Sequence, residues 1–284
     1  MNREVYRVSI GMPIYNGELF VREALDSLLA QTYTDFELII SNNASTDATE
    51  SICMEYAARD LRIRYIRQPI NVGALANFKL VLNEARGDYF MWAAHDDRWS
   101  ENWLSELFLA HQEQAVLTFG EVVAVDRHGE FIRKCGNLSF AGRLIPRSLR
   151  FAFQDGFKGK ANLFYGLFKT NEIISVLSKE KIDQGFAVDA LILFSVLQRG
   201  DILTVSGAQL YKRAGGAGDA VSRNYSMIRR ITSSYLFPYY FGYVKRATTL
   251  ALKCALCACI PFLFVSAYYL QLKRNFNQEN TGRN

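Results

Sequence analysis

The sequence predicts an α/β fold, in which a mixed, mostly parallel sheet is flanked by helices and followed by a C-terminal helical appendage that is apolar and basic. Three observations support this prediction. Strand-like and helix-like segments alternate four times before residue 112. Half of the 284 residues are hydrophobic and 21% are charged, which allows a large core and excludes global disorder. The net charge of +5 is uneven, because residues 209–284 hold 11 Lys or Arg and two Asp or Glu.

The alternation follows from hydrophobic periodicity. Short β-rich runs predict strands, and apolar residues at helical spacing predict helices. The predicted strands are 5–10, 36–40, 63–66, 89–93 and 116–125, and the predicted helices are 18–30, 45–59, 74–85 and 100–111. Ser45 is the predicted N-cap of the second helix, and Asp47 is favourable at the positive helix end. Strands and helices that alternate in this way favour a parallel sheet.

The chain after residue 126 is less regular. Glycines interrupt residues 127–165, which predicts either a mobile loop over a site or a plain surface connection. A helix is predicted around Asp189 and a strand at 202–205, followed by Tyr211-Lys212-Arg213 and a glycine-rich stretch at 215–218. That stretch divides the chain into a predicted domain at 1–215 and a predicted helical tail at 216–284.

Polar and small residues follow several of the predicted strands. These segments are Pro13–Asn16, Asn42–Asp47, Asn71–Gly73 and Asp96–Asp97. Because parallel sheets bind ligands at the carboxyl ends of their strands, we expect the segments to converge on one edge. The convergence predicts a site for a nucleotide or a phosphate group.

Asp96 and Asp97 come directly after the apolar run 89–93. Two adjacent carboxylates at the exit of a buried strand are costly unless a cation lies beside them. Carboxylate oxygens suit Mg²⁺ or Mn²⁺, and such a metal would hold a diphosphate. The alternative is a pair of solvated loop residues before the helix that begins near Ser100.

The order of these motifs resembles that of the family 2 glycosyltransferases, which are inverting enzymes with the Rossmann-like GT-A fold of nucleotide-diphospho-sugar transferases. The resemblance covers residues 5–215. It is carried by Val8–Gly17, Ser45–Asp47, Asn71–Gly73, Ala85–Tyr89 and Asp96–Asp97. It implies a nucleotide-diphosphate-sugar donor, a hydroxyl acceptor and a divalent metal, Mn²⁺ or Mg²⁺.

The resemblance also implies roles for single residues. Asp96 and Asp97 would hold the metal, and Asp189 would be the general base that deprotonates the acceptor hydroxyl. Alternatively, Asp189 interacts with the helix dipole and Arg213 is a solvated basic residue. The implied donor-binding residues are Pro13, Ile14, Tyr15, Asn16, Asn42, Asn71, Gly73, Asp96 and Arg213, the last through paired hydrogen bonds to the diphosphate.

Two positions depart from the family's pattern. Asn42 stands where relatives commonly carry Asp, so its amide would bind the base without charge assistance. Ala94 stands where relatives often have the first Asp of the metal motif. Both departures favour one alternative function, a non-catalytic relative that binds the nucleotide-sugar. A nucleotidyltransferase of similar α/β fold is the other, although no basic phosphate loop follows the first strand.

The tail indicates where the protein works. Aromatic and basic residues alternate over 225–274, and an uncharged run from Cys254 to Leu270 is interrupted by Pro261. The interpretations are peripheral membrane contact, packing on the catalytic domain, or one membrane span. Peripheral contact suits a glycan or lipid-linked glycan acceptor in cell-surface polysaccharide or lipid-linked oligosaccharide synthesis.

Localisation and excluded partners follow from the same composition. Five scattered cysteines and an N-terminus without a signal peptide predict a cytoplasmic protein at the inner face of the cell membrane. We expect no nucleic-acid partner, because the basic residues lie in an apolar tail.

Overall fold

The computed structural model describes residues 6–111, 115–135, 138–154, 160–179, 188–214 and 237–260. In these residues nine strands form one sheet. The strands are β1 (Val8–Ile14), β2 (Phe36–Asn42), β3 (Ile63–Arg67), β4 (Tyr89–Trp92), β5 (Arg98–Trp99), β6 (Ala115–Val125), β7 (Phe131–Lys134), β8 (Leu167–Lys169) and β9 (Asp201–Arg213). The helices are α1 (Val21–Leu29), α2 (Thr49–Arg59), α3 (Ala74–Asn83), α4 (Trp103–Leu109), α5 (Leu144–Phe153), a 3-10 helix (Lys160–Tyr165), α6 (Thr170–Lys179), α7 (Val188–Leu197), α8 (Phe237–Arg246) and α9 (Leu250–Ala258).

The sheet has the order β3-β2-β1-β4-β8-β6-β9-β5, and β7 pairs with β6. Strands β3, β2, β1 and β4 run parallel to one another, and so do β6 and β9. Strand β8 connects the two parallel groups by antiparallel pairing with both β4 and β6. The predicted mixed, mostly parallel α/β fold is therefore confirmed, although alternation alone favoured a purely parallel sheet.

Strand β1 is longer at its carboxyl end than the sequence predicts. Gly11 and Pro13 were expected to end it, yet Pro13 and Ile14 are buried strand residues paired with β2. The Ala93 N–H donates to Gly11 O, so Gly11 and, two residues on, Pro13 face the β4 side. Because β4 ends at Trp92, the missing N–H of Pro13 removes no ladder hydrogen bond. Pro13 and Ile14 therefore support the loop that follows rather than belonging to it.

Residues 127–165 contain more regular structure than a loop. They include β7, α5 and the 3-10 helix, and α5 buries Ser148, Phe151 and Ala152. The glycines misled the interpretation because Gly129 and Gly142, both with positive φ, lie between these elements and not inside them. Gly136, Gly156, Gly159 and Lys158 lie outside the described residues.

The described part of the C-terminal tail packs against the rest of the protein. Helices α8 and α9 contact each other and lie on α7 and α5. Their side chains Tyr240, Tyr243, Leu252 and Leu256 are buried in the same hydrophobic core as the sheet. In the parts of the chain that are described, no helix combines the length and apolar character needed to cross a membrane. The predicted boundary at 215–218 and residues 261–284 lie outside the described residues.

The amino edge of the sheet is held by a buried carboxylate. Glu37 on β2 accepts hydrogen bonds from the Ser9 hydroxyl (2.7 Å) and from the Arg86 N–H (2.9 Å). The Gly87 N–H donates to the Ser9 hydroxyl (2.8 Å). The Arg86-Gly87 motif therefore fastens the entry of β4, at the edge opposite the predicted site.

Gly87 admits no side chain, since a Cβ there would lie 2.7 Å from Ser9 N and 2.8 Å from Val8 C. We expect Gly87→Ala to lower the free energy of unfolding by about 3 kcal/mol, because backbone atoms cannot move aside. The control is Gly207→Ala, where the space is open and φ is +90°. That variant is expected to lose about 1 kcal/mol from backbone strain. Urea unfolding of both variants checks the order, and an equal or reversed order would contradict it.

Candidate active site

Strands β1, β2 and β4 end at one edge of the sheet, and their loops contact one another. Asn16 has a left-handed backbone (φ 50°), and its side chain accepts the Thr46 N–H at 2.9 Å. Its own N–H donates to the Ser45 hydroxyl (3.0 Å). Ser45 therefore binds the β1 loop instead of capping α2, which begins at Thr49. The loop after β1 is fixed by the loop after β2, as the predicted convergence requires.

Asn42 is buried, and its amide is already used by the protein. Its Nδ2 donates to the Tyr65 hydroxyl (2.8 Å), and its Oδ1 accepts the Ser45 N–H (2.9 Å). Asn43 donates to Asn71 Oδ1 (2.9 Å), which also accepts the Gly73 N–H (2.9 Å). Asn42 and Asn71 thus shape the loops, whereas Tyr15 is 44% exposed beside them. A base that approached Asn42 would have to share or replace these bonds.

Asp97 is 1% exposed and forms a buried link to β9. Its Oδ1 accepts the Arg213 N–H (3.0 Å), and its Oδ2 accepts from Lys212 Nζ (3.3 Å). Burial alone would lower the pKa of Lys212, but the neighbouring Tyr165, Asp97 and Asp96 together raise it, so Lys212 stays cationic. The cation expected beside the two carboxylates is therefore, in part, a lysine that the sequence interpretation did not assign.

Arg213 is 5% exposed, and its guanidinium is occupied by protein groups. It donates to the carbonyl oxygens of Asp96 (3.1 Å) and Arg127 (2.7 Å) and to the Glu23 carboxylate (2.9 Å). It also lies 4.1 Å from the centroid of the Phe20 ring. To reach a diphosphate, Arg213 would have to leave these partners. The structure thus gives it a positioning contact that neither sequence interpretation included.

The Asp96 carboxylate differs from that of Asp97. Asp96 is half-buried, and its carboxylate makes no hydrogen bond or ion pair with the residues that the structure describes. Next to it, His95 packs against Gly17, where an added Cβ would lie 2.5 Å from His95 Cδ2. Across the described ranges, no group of three or more His, Cys, Asp or Glu side chains is placed to enclose a metal. Among the described residues, Asp96 is therefore the strand-exit carboxylate that is not bonded to another side chain or N–H group.

Asp189 occupies the first turn of α7 and faces the same region. Its Oδ1 accepts the Ala190 N–H (2.8 Å). Burial raises the pKa of Asp189, although that N–H and the charges of Lys160 and Lys212 act in the opposite direction. Burial raises the pKa of the Tyr165 hydroxyl, which lies in the 3-10 helix, and the charges of Asp97, Asp96 and Asp189 raise it further. These shared neighbours bring the predicted base and the predicted metal motif to one region.

Lys212, Tyr165 and Lys160 lie around the candidate site, and the sequence interpretation assigned none of them a role. Lys212 Nζ lies 4.6 Å from the centroid of the Tyr165 ring. The available signal was the position of Lys212 immediately before Arg213 at a strand end. Of the predicted residues, the structure brings Tyr15, Asn16, Asn42, Asn71, Gly73, Asp96 and Asp97 to the carboxyl edge, with Pro13 and Ile14 inside β1 and Arg213 behind Asp96.

Comparison with known proteins gives a family match. The family model described as "Glycosyl transferase family 2" matches residues 9–178. Glycosyltransferase GlyA of Streptococcus pneumoniae serotype 4 is 28% identical over 169 residues, which are 60% of this chain and 23% of that protein. An uncharacterized glycosyltransferase of Rickettsia typhi is 39% identical over 95 residues, 34% of this chain and 29% of that protein. The chain thus matches less than a third of either relative's length.

Solved structures support the fold. Mannosyltransferase PcManGT from Pyrobaculum calidifontis, in complex with GDP-Man and Mn²⁺, has a TM-score of 0.57 at 17% identity, covering 89% of this chain and 68% of that one. S. aureus TarS 1-349 in complex with UDP has a TM-score of 0.59 at 18% identity, covering 73% of this chain and 60% of that one. At these identities the likeness concerns the arrangement of helices and strands.

The two carboxylates of the strand exit should respond differently to removal. We expect Asp97→Ala to lower the free energy of unfolding by about 2 kcal/mol, because Lys212 and the Arg213 N–H lose a buried partner. Asp96→Ala should change it by less than about 0.5 kcal/mol, since no described group is bonded to that carboxylate. Urea unfolding at neutral pH measures both. Equal losses would show that Asp97 does not hold β9.

Proposed function

Because the chain belongs to glycosyl transferase family 2, we propose that it transfers a sugar from a nucleotide-diphosphate-sugar to a hydroxyl acceptor, with inversion at the anomeric carbon. The observation that carries this proposal is that two carboxylates influence Lys212: that of Asp96, which has no hydrogen bond or ion pair among the described residues, and that of the half-buried Asp189, whose pKa is raised by burial. Asp96 suits the binding of a metal and its diphosphate, and Asp189 suits proton transfer.

The donor would lie across the loops at the carboxyl edge of β1 and β2. Tyr15 and Asn16 are accessible to a base and ribose, while Pro13, Ile14, Asn42, Asn71 and Gly73 hold the backbone of those loops. The similar structures are complexes with UDP and with GDP-Man, which supports a nucleotide-sugar donor here and leaves its base undecided between uracil and guanine.

A divalent metal, Mn²⁺ or Mg²⁺, fits the donor chemistry of Asp96, whose free carboxylate offers hard oxygen ligands. Asp97 has both oxygens engaged by β9, so it would join through its remaining lone pairs or by releasing Lys212. When bound, the metal would neutralise the charge that develops on the diphosphate. Lys212 already supplies one positive charge to the same region.

Asp189 would act as the general base. It would take the proton of the acceptor hydroxyl, whose oxygen forms a bond to the anomeric carbon while the bond to the diphosphate breaks. Burial raises the pKa of Asp189, which makes its carboxylate a stronger base than an exposed aspartate. A single in-line displacement with one base gives inversion.

The acceptor would be a glycan or a lipid-linked glycan used in cell-surface polysaccharide or lipid-linked oligosaccharide synthesis. Peripheral contact of 225–274 with the inner face of the cell membrane would bring the protein to such an acceptor. In the described part of that segment, Lys245, Arg246 and Lys253 provide positive charge, and Leu250 is 77% exposed. Both features suit an anionic lipid surface.

Donor binding tests the metal role of Asp96. Isothermal calorimetry with UDP and with GDP should show binding of one nucleotide that weakens at least about tenfold without Mn²⁺ or in Asp96→Ala. Asp88→Ala is the matched control, because that carboxylate is 66% exposed at the opposite edge. Equal affinity with and without Mn²⁺ would sink the metal-bridged donor and favour a non-catalytic nucleotide-sugar-binding protein.

Replacement of Asp189 tests the base. We expect Asp189→Asn to lower kcat of donor turnover by about 10³-fold, while kcat/KM of the unaltered protein rises with pH until Asp189 is ionised. Asp88→Asn should leave turnover unchanged. An Asp189→Asn protein with undiminished turnover would remove Asp189 from the mechanism.

Stability provides a second readout with a definite sign. A raised pKa means that the folded protein binds the Asp189 proton more tightly than the unfolded chain does, so stability declines as pH rises towards the folded pKa. At pH 8, Asp189→Asn should therefore be at least as stable as the unaltered protein. A large loss of stability would indicate a structural role.

A further inference from the structure

Lys160 is a buried lysine of the 3-10 helix that packs on α7, the helix that carries the predicted base. It is 7% exposed at the start of the 3-10 helix. Its Nζ donates to the Phe151 carbonyl (3.1 Å) and to the Tyr243 hydroxyl (3.2 Å). The same atom lies 4.8 Å from the centroid of the Phe151 ring and 5.4 Å from that of Tyr243. Burying an ammonium group is costly, so these contacts serve to hold a charge at a chosen place.

Helix α8 brings Tyr243 to this place by packing on the first half of α7. A Cβ at Gly242 would lie 2.6 Å from Leu191 Cδ2, so the two helices approach closely there. The ring centroids of Tyr243 and Phe194 are 4.6 Å apart. Leu191 follows Asp189 by two residues. Helix α8 therefore contacts the part of α7 that carries the predicted base.

We propose that Lys160, held by the hydroxyl of Tyr243, is a positioning residue that keeps a positive charge beside Asp189 and so maintains its carboxylate ready to accept a proton. The inference rests on the proposed role of Asp189. It also makes the C-terminal helices part of the catalytic unit, because α8 supplies the hydroxyl that fixes the lysine.

The charges around Asp189 define what Lys160 does. Burial raises the pKa of Asp189, and the Ala190 N–H, Lys160 and Lys212 oppose that effect. Burial raises the pKa of both Tyr165 and Tyr243, and the charge of Asp189 raises each of them further. Of the other helices packed against α7, α5 carries Arg147, which pairs with Asp201, and α6 carries Glu172, which pairs with Arg199; Arg199 and Asp201 both follow the C-terminal end of α7. Helix α8 carries Lys245 and Arg246 in its last turn. Lys160 is thus a cation that the 3-10 helix and α8 hold near α7, whereas the other cation, Lys212, is bound to Asp97 of the predicted metal motif.

The test is a carbon-13 NMR titration of aspartate carboxyls in the full chain, with the Asp189 signal assigned by its loss in Asp189→Asn. Lys160→Met should raise the pKa of Asp189 by about one unit, since a neighbouring opposite charge is removed. Lys134→Met, which removes an exposed lysine of β7, should leave that pKa unchanged. Lys160→Arg should restore most of the shift, because it keeps the charge.

Tyr243→Phe is the milder variant, because it removes the hydroxyl and keeps the ring. It should move the Asp189 pKa in the same direction by a smaller amount. In parallel, hydrolysis of UDP-GlcNAc and GDP-Man with Mn²⁺ should show the acid limb of kcat/KM moving with the NMR value.

The outcomes separate the two proposals. An Asp189 pKa that is the same in the unaltered protein, Lys160→Met and Tyr243→Phe overturns the role of Lys160, whether or not either donor is hydrolysed. A shifted pKa in a protein whose turnover does not depend on Asp189 keeps the Lys160–Asp189 coupling and overturns the proposed base.

Discussion

The buried contact of Asp97 with the end of β9 is the constraint on which the site depends. Asp97 follows β4 of one parallel group, and Lys212 and Arg213 end β9 of the other. Because β8 and β6 lie between β4 and β9 in the sheet, this contact links two strand ends that are not neighbours. Arg213 then turns back to the carbonyl oxygen of Asp96, so the free carboxylate sits on a loop held from both sides. The two adjacent acidic residues therefore differ in role: Asp97 anchors the loop, and Asp96 remains partly exposed to solvent.

The six-residue 3-10 helix contacts three other parts of the site. Phe164 stacks on Trp92 of β4 with ring centroids 4.3 Å apart and an interplanar angle of 12°. Tyr165 lies under the Lys212 ammonium, and Lys160 reaches α8. Three side chains of one short helix therefore connect the strand core, the cation of β9 and the C-terminal helices. A shift of this helix would disturb all three contacts together.

The sequence predicted the parts of the fold whose signal is local. Strands β2, β3, β4 and β6 and helix α3 lie within a few residues of their expected ranges, because periodicity and flanking turn residues define them. The carboxyl end of β1 was not predicted, because whether Pro13 can lie in a strand depends on where the neighbouring strand ends. Helix α5 was not predicted, because its amphipathic pattern is short and is flanked by glycines. Local pattern carries no information on either point.

The site was predictable in place and less so in detail. Motifs that follow strands were correctly expected at one edge, since that rule depends on topology alone. The partners of each side chain were not, because Asn42 with Tyr65, Asp97 with Lys212, and Lys160 with Tyr243 are joined across 23 to 115 residues. Residue type identifies candidate ligand-binding residues in the sequence. Their hydrogen-bond partners, which only the fold shows, determine which oxygens and nitrogens can still bind a ligand.

Those long separations bear on how the protein is made. The Glu23–Arg213 ion pair joins residues 190 apart, and the Lys160–Tyr243 hydrogen bond joins residues 83 apart. Contacts of high sequence separation form late, because the loops that they close are long. A nascent chain would complete the parallel β1–β4 group on the ribosome while β9 and α8 were still being synthesised. The proposed sugar-transfer centre is therefore assembled late in folding, when α8 docks on a sheet that already exists.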